Sequence, residues 1–210
     1  MAQLEIIGIP PSTYTRTVRM ACEEKGVPYD FKPAPPHSPE VTAIHPFGKI
    51  PVMRHGDVTL CESKAIVTYI DRMFDGPKLI PEDATAAAQC EQWVSMINTI
   101  VDPVMVRAYV LNNVFPKGPN GQPDRTAIEG ALPAMRKQAD VLGAAVAKTG
   151  YLVGDSLSFA DLTLLPILFY VRMFPEGAEI VKDAPDLEAY YARHATRPSF
   201  QNTAPPPPPK

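Results

Sequence analysis

Apolar residues in the first third of the chain fall into short runs broken by glycine and proline, and these runs set its elements. Leu4 to Ile9 is almost continuously apolar, which predicts a buried strand, and Pro10-Pro11 ends it. From Ser12 a helical pattern continues to Lys25 and meets Gly26, the residue type that most readily takes the left-handed backbone of a helix end. Val27-Pro28-Tyr29-Asp30-Phe31 predicts a second strand. Pro33, Pro35, Pro36 and Pro39 then impose a loop with room for a short helix. Ile50 to Arg54 and Val58 to Cys61 predict a hairpin around His55-Gly56-Asp57. Ile66, Val67, Ile70, Met73 and Phe74 recur on one face of a helix. The order is strand, helix, strand, loop, strand, strand, helix, complete by about Phe74.

Asp75-Gly76-Pro77 to Pro81-Glu82-Asp83 is rich in turn formers and free of periodicity, so it reads as a linker. Beyond it the pattern is helical throughout. Thr85 to about Val110 predicts a long helix kinked at Pro103, and Phe115 to Asp124 a loop. Arg125 to Lys148 predicts a further helix, broken near Pro133 and ended at Gly150. Ser158-Phe159-Ala160-Asp161 is a capping box, with Leu157 and Leu162 at the two staple positions. The expected division is an α/β domain over residues 1–80, an all-α domain over 85–203, and a disordered proline-rich tail over 204–210. The tail is expected to extend as solvated polyproline II.

Composition narrows the function classes. Hydrophobic residues make up 45% and charged residues 20%, the balance of a chain that buries a core. A net charge of −3 with no basic stripe argues against nucleic acid or an anionic membrane as partner. No basic segment precedes an apolar core at the start, so no secretory signal is expected. The apolar stretch Leu162 to Val171 is too short to cross a bilayer. Cys22, Cys61 and Cys90 are odd in number and form no CxxC, which points to the reducing cytoplasm. His45, His55 and His194 stand singly without metal-ligand spacing, so no metal is expected.

Three places invite chemistry. Proline cannot donate to a sheet ladder, and Pro51 follows Ile50 inside a strand-like run. A cis bond there would turn the Ile50 N–H and C=O outward, toward a peptide-like ligand. Ser63 opens a helix eleven residues after Val52, and helix starts bind carboxylates, while Glu62 before it is an acidic neighbour that suits the helix dipole. Ser12 stands where the first strand meets the first helix, either as a simple cap or as a donor to a ligand; Thr13 and Tyr14 are its neighbours and rivals.

Together these segments resemble the cytosolic glutathione transferases over roughly residues 3 to 200. Pro11-Ser12-Thr13-Tyr14-Thr15-Arg16-Thr17-Val18 is similar to the serine signature of the phi class. So is Ser38-Pro39-Glu40 placed before His45-Pro46-Phe47-Gly48-Lys49-Ile50-Pro51-Val52. Gly150-Tyr151-Leu152-Val153-Gly154-Asp155 with Ser158 to Asp161 resembles an element of the family's C-terminal domain. The family pattern has Asn where His45 stands, and usually Gln where Lys49 stands.

The resemblance implies a thioredoxin-like domain followed by an all-helical one, and a cytoplasmic homodimer using glutathione as co-substrate with no bound cofactor. It assigns Ser12 to thiol activation, Ile50 and Pro51 to backbone pairing, Glu62 and Ser63 to the γ-glutamyl end, and His37 and Lys49 to the glycine carboxylate. Pro11, Met105, Tyr109 and Phe169 are the expected lining for a small hydrophobic electrophile. The implied reaction is conjugation, with reduction of organic hydroperoxides as a second activity. A non-catalytic carrier of glutathione or apolar ligands is the alternative.

Overall fold

The strand β1 (Leu4–Gly8) is central because nearly every residue of it is apolar, and a strand buried on both faces needs cover on both. In the computed structural model, which describes residues 3–116 and 118–206, β1 pairs in parallel with β2 (Tyr29–Pro33). It also pairs antiparallel with β3 (Val52–His55), which pairs in turn with β4 (Val58–Cys61), giving the order β2-β1-β3-β4. On one face Ile7 meets Ala34, Val41 and Val52, with Ile44, Ile50 and Cys61 at the margin. Val41 comes from the short helix α2 (Pro39–Thr42). The helices α1 (Thr13–Lys25) and α3 (Ser63–Met73) pack on the sheet and on each other. Ile66, Val67 and Ile70 of α3 are fully buried, each stabilising the fold by about 1.5–3 kcal/mol. Met73 departs from the expected face and stands 56% exposed.

Backbone chemistry explains each shift of element boundary. The Ile9 carbonyl turns away to accept from the Ser12 N–H at 3.1 Å, so β1 ends at Gly8. At the end of α1, the Val27 N–H bonds to the Cys22 carbonyl (2.9 Å) and the Gly26 N–H to Glu23 (3.1 Å). This pair of bonds closes the helix with Gly26 at φ +64°. Val27 is thereby spent on the helix stop, and β2 begins at Tyr29 rather than Val27. Pro51 has no N–H to give, so β3 starts at Val52 rather than Ile50.

Pro81–Ala195 forms a second, helical unit. Asp83 caps α4 (Ala84–Met96) by accepting from the Ala86 N–H at 2.9 Å. The helix then runs on without a break through Ile97–Val110, in wide i→i+5 turns, to α5 (Leu111–Val114). Pro103 therefore does not interrupt it: the wider turns absorb the missing N–H. By length and composition this 31-residue helix is long and apolar enough to cross a membrane. It packs here against α6 (Arg125–Val146) and α7 (Phe159–Val171) as a core helix. Pro133 does not break α6 either; it is exposed, so the helix carbonyl it leaves free faces water. Twelve of the thirteen residues of α7 are buried. Its capping box is closed: the Asp161 carboxylate accepts from the Ser158 N–H (2.8 Å) and hydroxyl (2.9 Å), and also from Leu152 N–H and Tyr190. The helices α8 (Pro175–Asp183) and α9 (Pro185–Ala195) complete this unit.

The chain then returns to the first unit. Residues from Thr196, including α10 (Pro198–Asn202), belong with the segment up to Ile80 and not with the helical domain expected to run to 203. Ionic and polar contacts cause this. Arg197 holds Glu24 through two nitrogens at 2.7 and 2.6 Å, Ser199 bonds the same carboxylate, and the buried Arg16 guanidinium donates to the Phe200 carbonyl at 2.8 Å. Of the expected tail, residues 207–210 lie outside the described residues. Elsewhere in the first unit Lys25 and Asp71, both buried, pair at 3.2 Å. Asp71 also accepts from the N–H groups of Leu79 (2.8 Å) and Ile80 (3.3 Å), and Lys25 donates to the Pro77 carbonyl at 3.1 Å. The first half of the supposed linker is therefore clamped to α1 and α3.

Candidate active site

Strand direction gathers the candidates within the first unit. The register sets Gly8 beside Pro33 and Ile7 beside Val52, and Val52 beside Cys61. The segments after β1, β2 and β4, and the one before β3, therefore emerge at one end of the sheet. Ser12 follows β1, His37 follows β2, Lys49-Ile50-Pro51 precedes β3, and Glu62-Ser63 follows β4. Continued by one residue, the β3–β4 register puts Pro51 across from Glu62.

Ser12 is the N-cap of α1. It is half-buried, with extended backbone, and its Oγ accepts from the Thr15 N–H at 3.2 Å. A hydroxyl used as acceptor still has a proton to donate. The first turn of α1 holds no acidic residue, so its positive end is not neutralised from within the helix. Thr13 is buried (8% exposed), Thr15 fully so, and Tyr14 half-buried.

The loop between β2 and β3 is built on two residues with left-handed backbone, His37 (φ +64°) and Gly48 (φ +63°). The His37 N–H bonds to the Gly48 carbonyl at 2.8 Å, and its ring lies so close that a Cβ on Gly48 would fall 2.3 Å from Nδ1. Only glycine fits there. Lys49 is exposed, Ile50 half-buried, and the Ile50–Pro51 bond is cis, as expected.

Glu62, not Ser63, is the N-cap of α3; Ser63 is the first helical residue and is 9% exposed. The Glu62 side chain makes no capping bond and the first turn contains no acid, so the helix start is open to an anion. Glu62 holds φ +69°, a conformation a non-glycine residue seldom takes. No sequence signal marked it. The Glu62 carboxylate instead meets His45: Oε1 lies 3.3 Å from Nε2 of the buried ring, while the Phe47 N–H donates to His45 Nδ1 at 3.1 Å.

The expected electrophile lining fares differently. Pro11 is exposed beside Ser12, and Phe169 is half-buried against Tyr170. Met105 and Tyr109 have no exposed surface at all. The Tyr109 oxygen accepts from the Gly177 N–H (2.8 Å) and its hydroxyl donates to Glu176 (3.2 Å), which Arg125 also holds; burial pushes Tyr109 up to about 12. Both residues are core of the helical unit, because methionine and tyrosine at helical spacing serve a core as readily as a pocket. Among the described residues, no group of three His, Cys, Asp or Glu side chains is placed to hold a metal ion.

Comparison with known proteins gives two family matches: "Glutathione S-transferase, N-terminal domain" over residues 6–78, and "Glutathione S-transferase, C-terminal domain" over residues 93–198. The chain is 32% identical to glutathione S-transferase 3 of Zea mays, an alignment covering 99% of this chain and 98% of the relative. Its fold is similar to the crystal structure of glutathione transferase F7 from Populus trichocarpa, with TM-score 0.83, 30% identity, and coverage of 95% of this chain and 97% of that one. It is also similar to glutathione S-transferase I from mais in complex with an atrazine glutathione conjugate, with TM-score 0.84, 26% identity and 96% coverage of both chains.

Proposed function

The chain belongs to the glutathione S-transferase family, and from that premise we propose how its sheet end activates glutathione for conjugation to electrophiles. The tripeptide lies across the strand ends. Its γ-glutamyl carboxylate takes the first-turn N–H and hydroxyl of Ser63, its ammonium faces Glu62, and its cysteinyl backbone pairs with Ile50. His37 and Lys49 face the glycine carboxylate, and the sulfur reaches Ser12.

The observation that carries this reading is the state of Ser12: half-buried, at an uncompensated helix N-terminus, with its oxygen occupied by Thr15 and its proton available. A thiol of pKa about 8.5 is only a few per cent thiolate at pH 7, and lowering it by two units takes about 2.7 kcal/mol. A hydrogen bond to a charged acceptor supplies about 1.5–3 kcal/mol, and a helix N-terminus about 0.3–1 more. The two together suffice without a catalytic base. The thiolate then attacks the electrophilic carbon, the S–C bond forms, and the leaving group departs with its electron pair or an activated double bond takes up a proton. Burial of Thr13 and Thr15 favours Ser12 over its threonine neighbours. We place the enzyme in the cytoplasm as a homodimer.

The test is glutathione turnover with aryl halides, isothiocyanates and hydroperoxides, beside the thiolate absorbance of the bound ligand against pH. Ser12→Ala is expected to keep near-normal glutathione affinity. It should raise the bound thiol pKa by about one unit or more, slowing conjugation at neutral pH about tenfold. Turnover excludes the carrier reading. An unchanged pKa and rate in Ser12→Ala would move the role to Tyr14 or to the helix end alone.

A further inference from the structure

His45 is buried (3% exposed) yet sits among polar partners, and nothing in the proposed reaction uses it directly. Its two nitrogens have different tasks. Nδ1 accepts from the Phe47 N–H at 3.1 Å, so it carries no proton. The ring proton therefore resides on Nε2, which points at Glu62 Oε1 3.3 Å away. The ring also stands edge-on to Phe47, centroids 6.1 Å apart. The Glu62 side chain, by contrast, is 70% exposed and would otherwise sample many rotamers.

We infer that His45 is a positioning residue: its Nε2–H fixes the Glu62 carboxylate in the orientation that receives the γ-glutamyl ammonium of glutathione. This rests on the reading of Glu62 given above. A neutral imidazole suits the task better than Lys or Arg would. It restricts the carboxylate without neutralising it, so the full negative charge remains for the ammonium, and one carboxylate oxygen remains to accept from it. The unusual backbone of Glu62 (φ +69°) fixes where the side chain starts, and His45 fixes where it ends. Ordering the receptor group before the ligand arrives lowers the entropic cost of binding.

Substitutions can separate the two nitrogens of the ring. The Asn oxygen in His45→Asn falls near the Nδ1 position and keeps an acceptor for Phe47, but nothing reaches Glu62. His45→Gln keeps the reach to Glu62. The measurement is the ratio of dissociation constants, by titration calorimetry, for glutathione and for glutaryl-cysteinylglycine, which lacks only the ammonium. Glu62→Gln should bring this ratio toward one. His45→Asn should shrink the ratio about three- to tenfold, the worth of one hydrogen-bonded orientation, and add nothing in the Glu62→Gln background. His45→Gln should keep the ratio near that of the unmodified protein. A His45→Asn protein with an unchanged ratio, or a His45→Gln protein whose ratio collapses, overturns the inference. Because each ratio is taken within one protein, a general loosening that weakens both ligands equally leaves it unmoved, and that result also counts against His45. If the unmodified protein fails to bind glutathione, or Glu62→Gln leaves the ratio untouched, the fault lies in the reading of Glu62 itself.

Discussion

One residue type in three settings shows how far environment decides chemistry. Cys22 is fully buried on α1, and burial pushes its thiol up to about 12, so it holds almost no thiolate at neutral pH. Cys90, 2% exposed, is raised by burial as well. Cys61 lies half-buried at the end of β4, beside Glu62. Iodoacetamide applied to the native protein at pH 7.5 should therefore modify Cys61 at least tenfold faster than Cys22 or Cys90, because reaction needs both access and thiolate. Peptide mass mapping of the labelled sites would check this, and prompt labelling of Cys22 would contradict the buried packing of α1. Residues whose role is local were legible in the sequence: Ser12 as a helix start, Gly26 as a helix stop, Pro51 beside Ile50. The left-handed backbone of Glu62 was not, since glutamate has no propensity for it and only the surrounding fold imposes it. The His45–Glu62 contact joins residues seventeen apart without a periodic pattern.

At the scale of elements, the sequence carried type and order well and carried ends poorly where non-neighbouring groups compete for the backbone. The start of β2 was moved by the hydrogen bonds that close α1, and the helix-interior prolines Pro103 and Pro133 were absorbed, one by wide turns and one by solvent. The Lys25–Asp71 clamp had no signature, because a lysine near the end of one helix and an aspartate on another read as ordinary solvated charges. Here both are buried, and Asp71 serves three donors: the Lys25 ammonium and the N–H groups of Leu79 and Ile80. Removing one partner of a buried pair leaves the other charge uncompensated, at a cost of about 3–5 kcal/mol. Asp71→Ala should therefore lower the stability of the first unit by that amount in urea unfolding followed by circular dichroism. The pair replaced together, Lys25→Met with Asp71→Leu, should lose less than Asp71→Ala alone, since no buried ammonium is left behind. Equal losses would show that the unsatisfied amides of Leu79 and Ile80, and not the stranded charge, dominate.

For the whole molecule, the division near residue 80 could be read from the linker, whereas the return of the chain at Thr196 could not. That return depends on Arg197, Ser199 and Phe200 meeting α1 far away in sequence. Assembly is a further property that local pattern does not encode, yet one exposed residue bears on it. Phe47 is 74% exposed, in a loop held from both sides by the His45–Phe47 and His37–Gly48 hydrogen bonds. An aromatic ring presented to water on an ordered loop offers apolar area to a partner, and a buried aromatic contributes about 150–250 Å² to an interface. In the two-fold symmetric dimer proposed above the same contact occurs twice, the ring of each copy being proposed to lie against the helical unit of the other. An anchor of this kind is worth about 2 kcal/mol or more, so its loss from both copies weakens association by about 4 kcal/mol, close to a thousandfold. Light scattering at micromolar concentration should give about twice the chain mass of 22.9 kDa for the unmodified protein and a value falling toward the single chain for Phe47→Ala. A monomeric mass for the unmodified protein would rule out the dimer. An unshifted dimer in Phe47→Ala would place the interface elsewhere on the surface and leave the exposed ring to another partner.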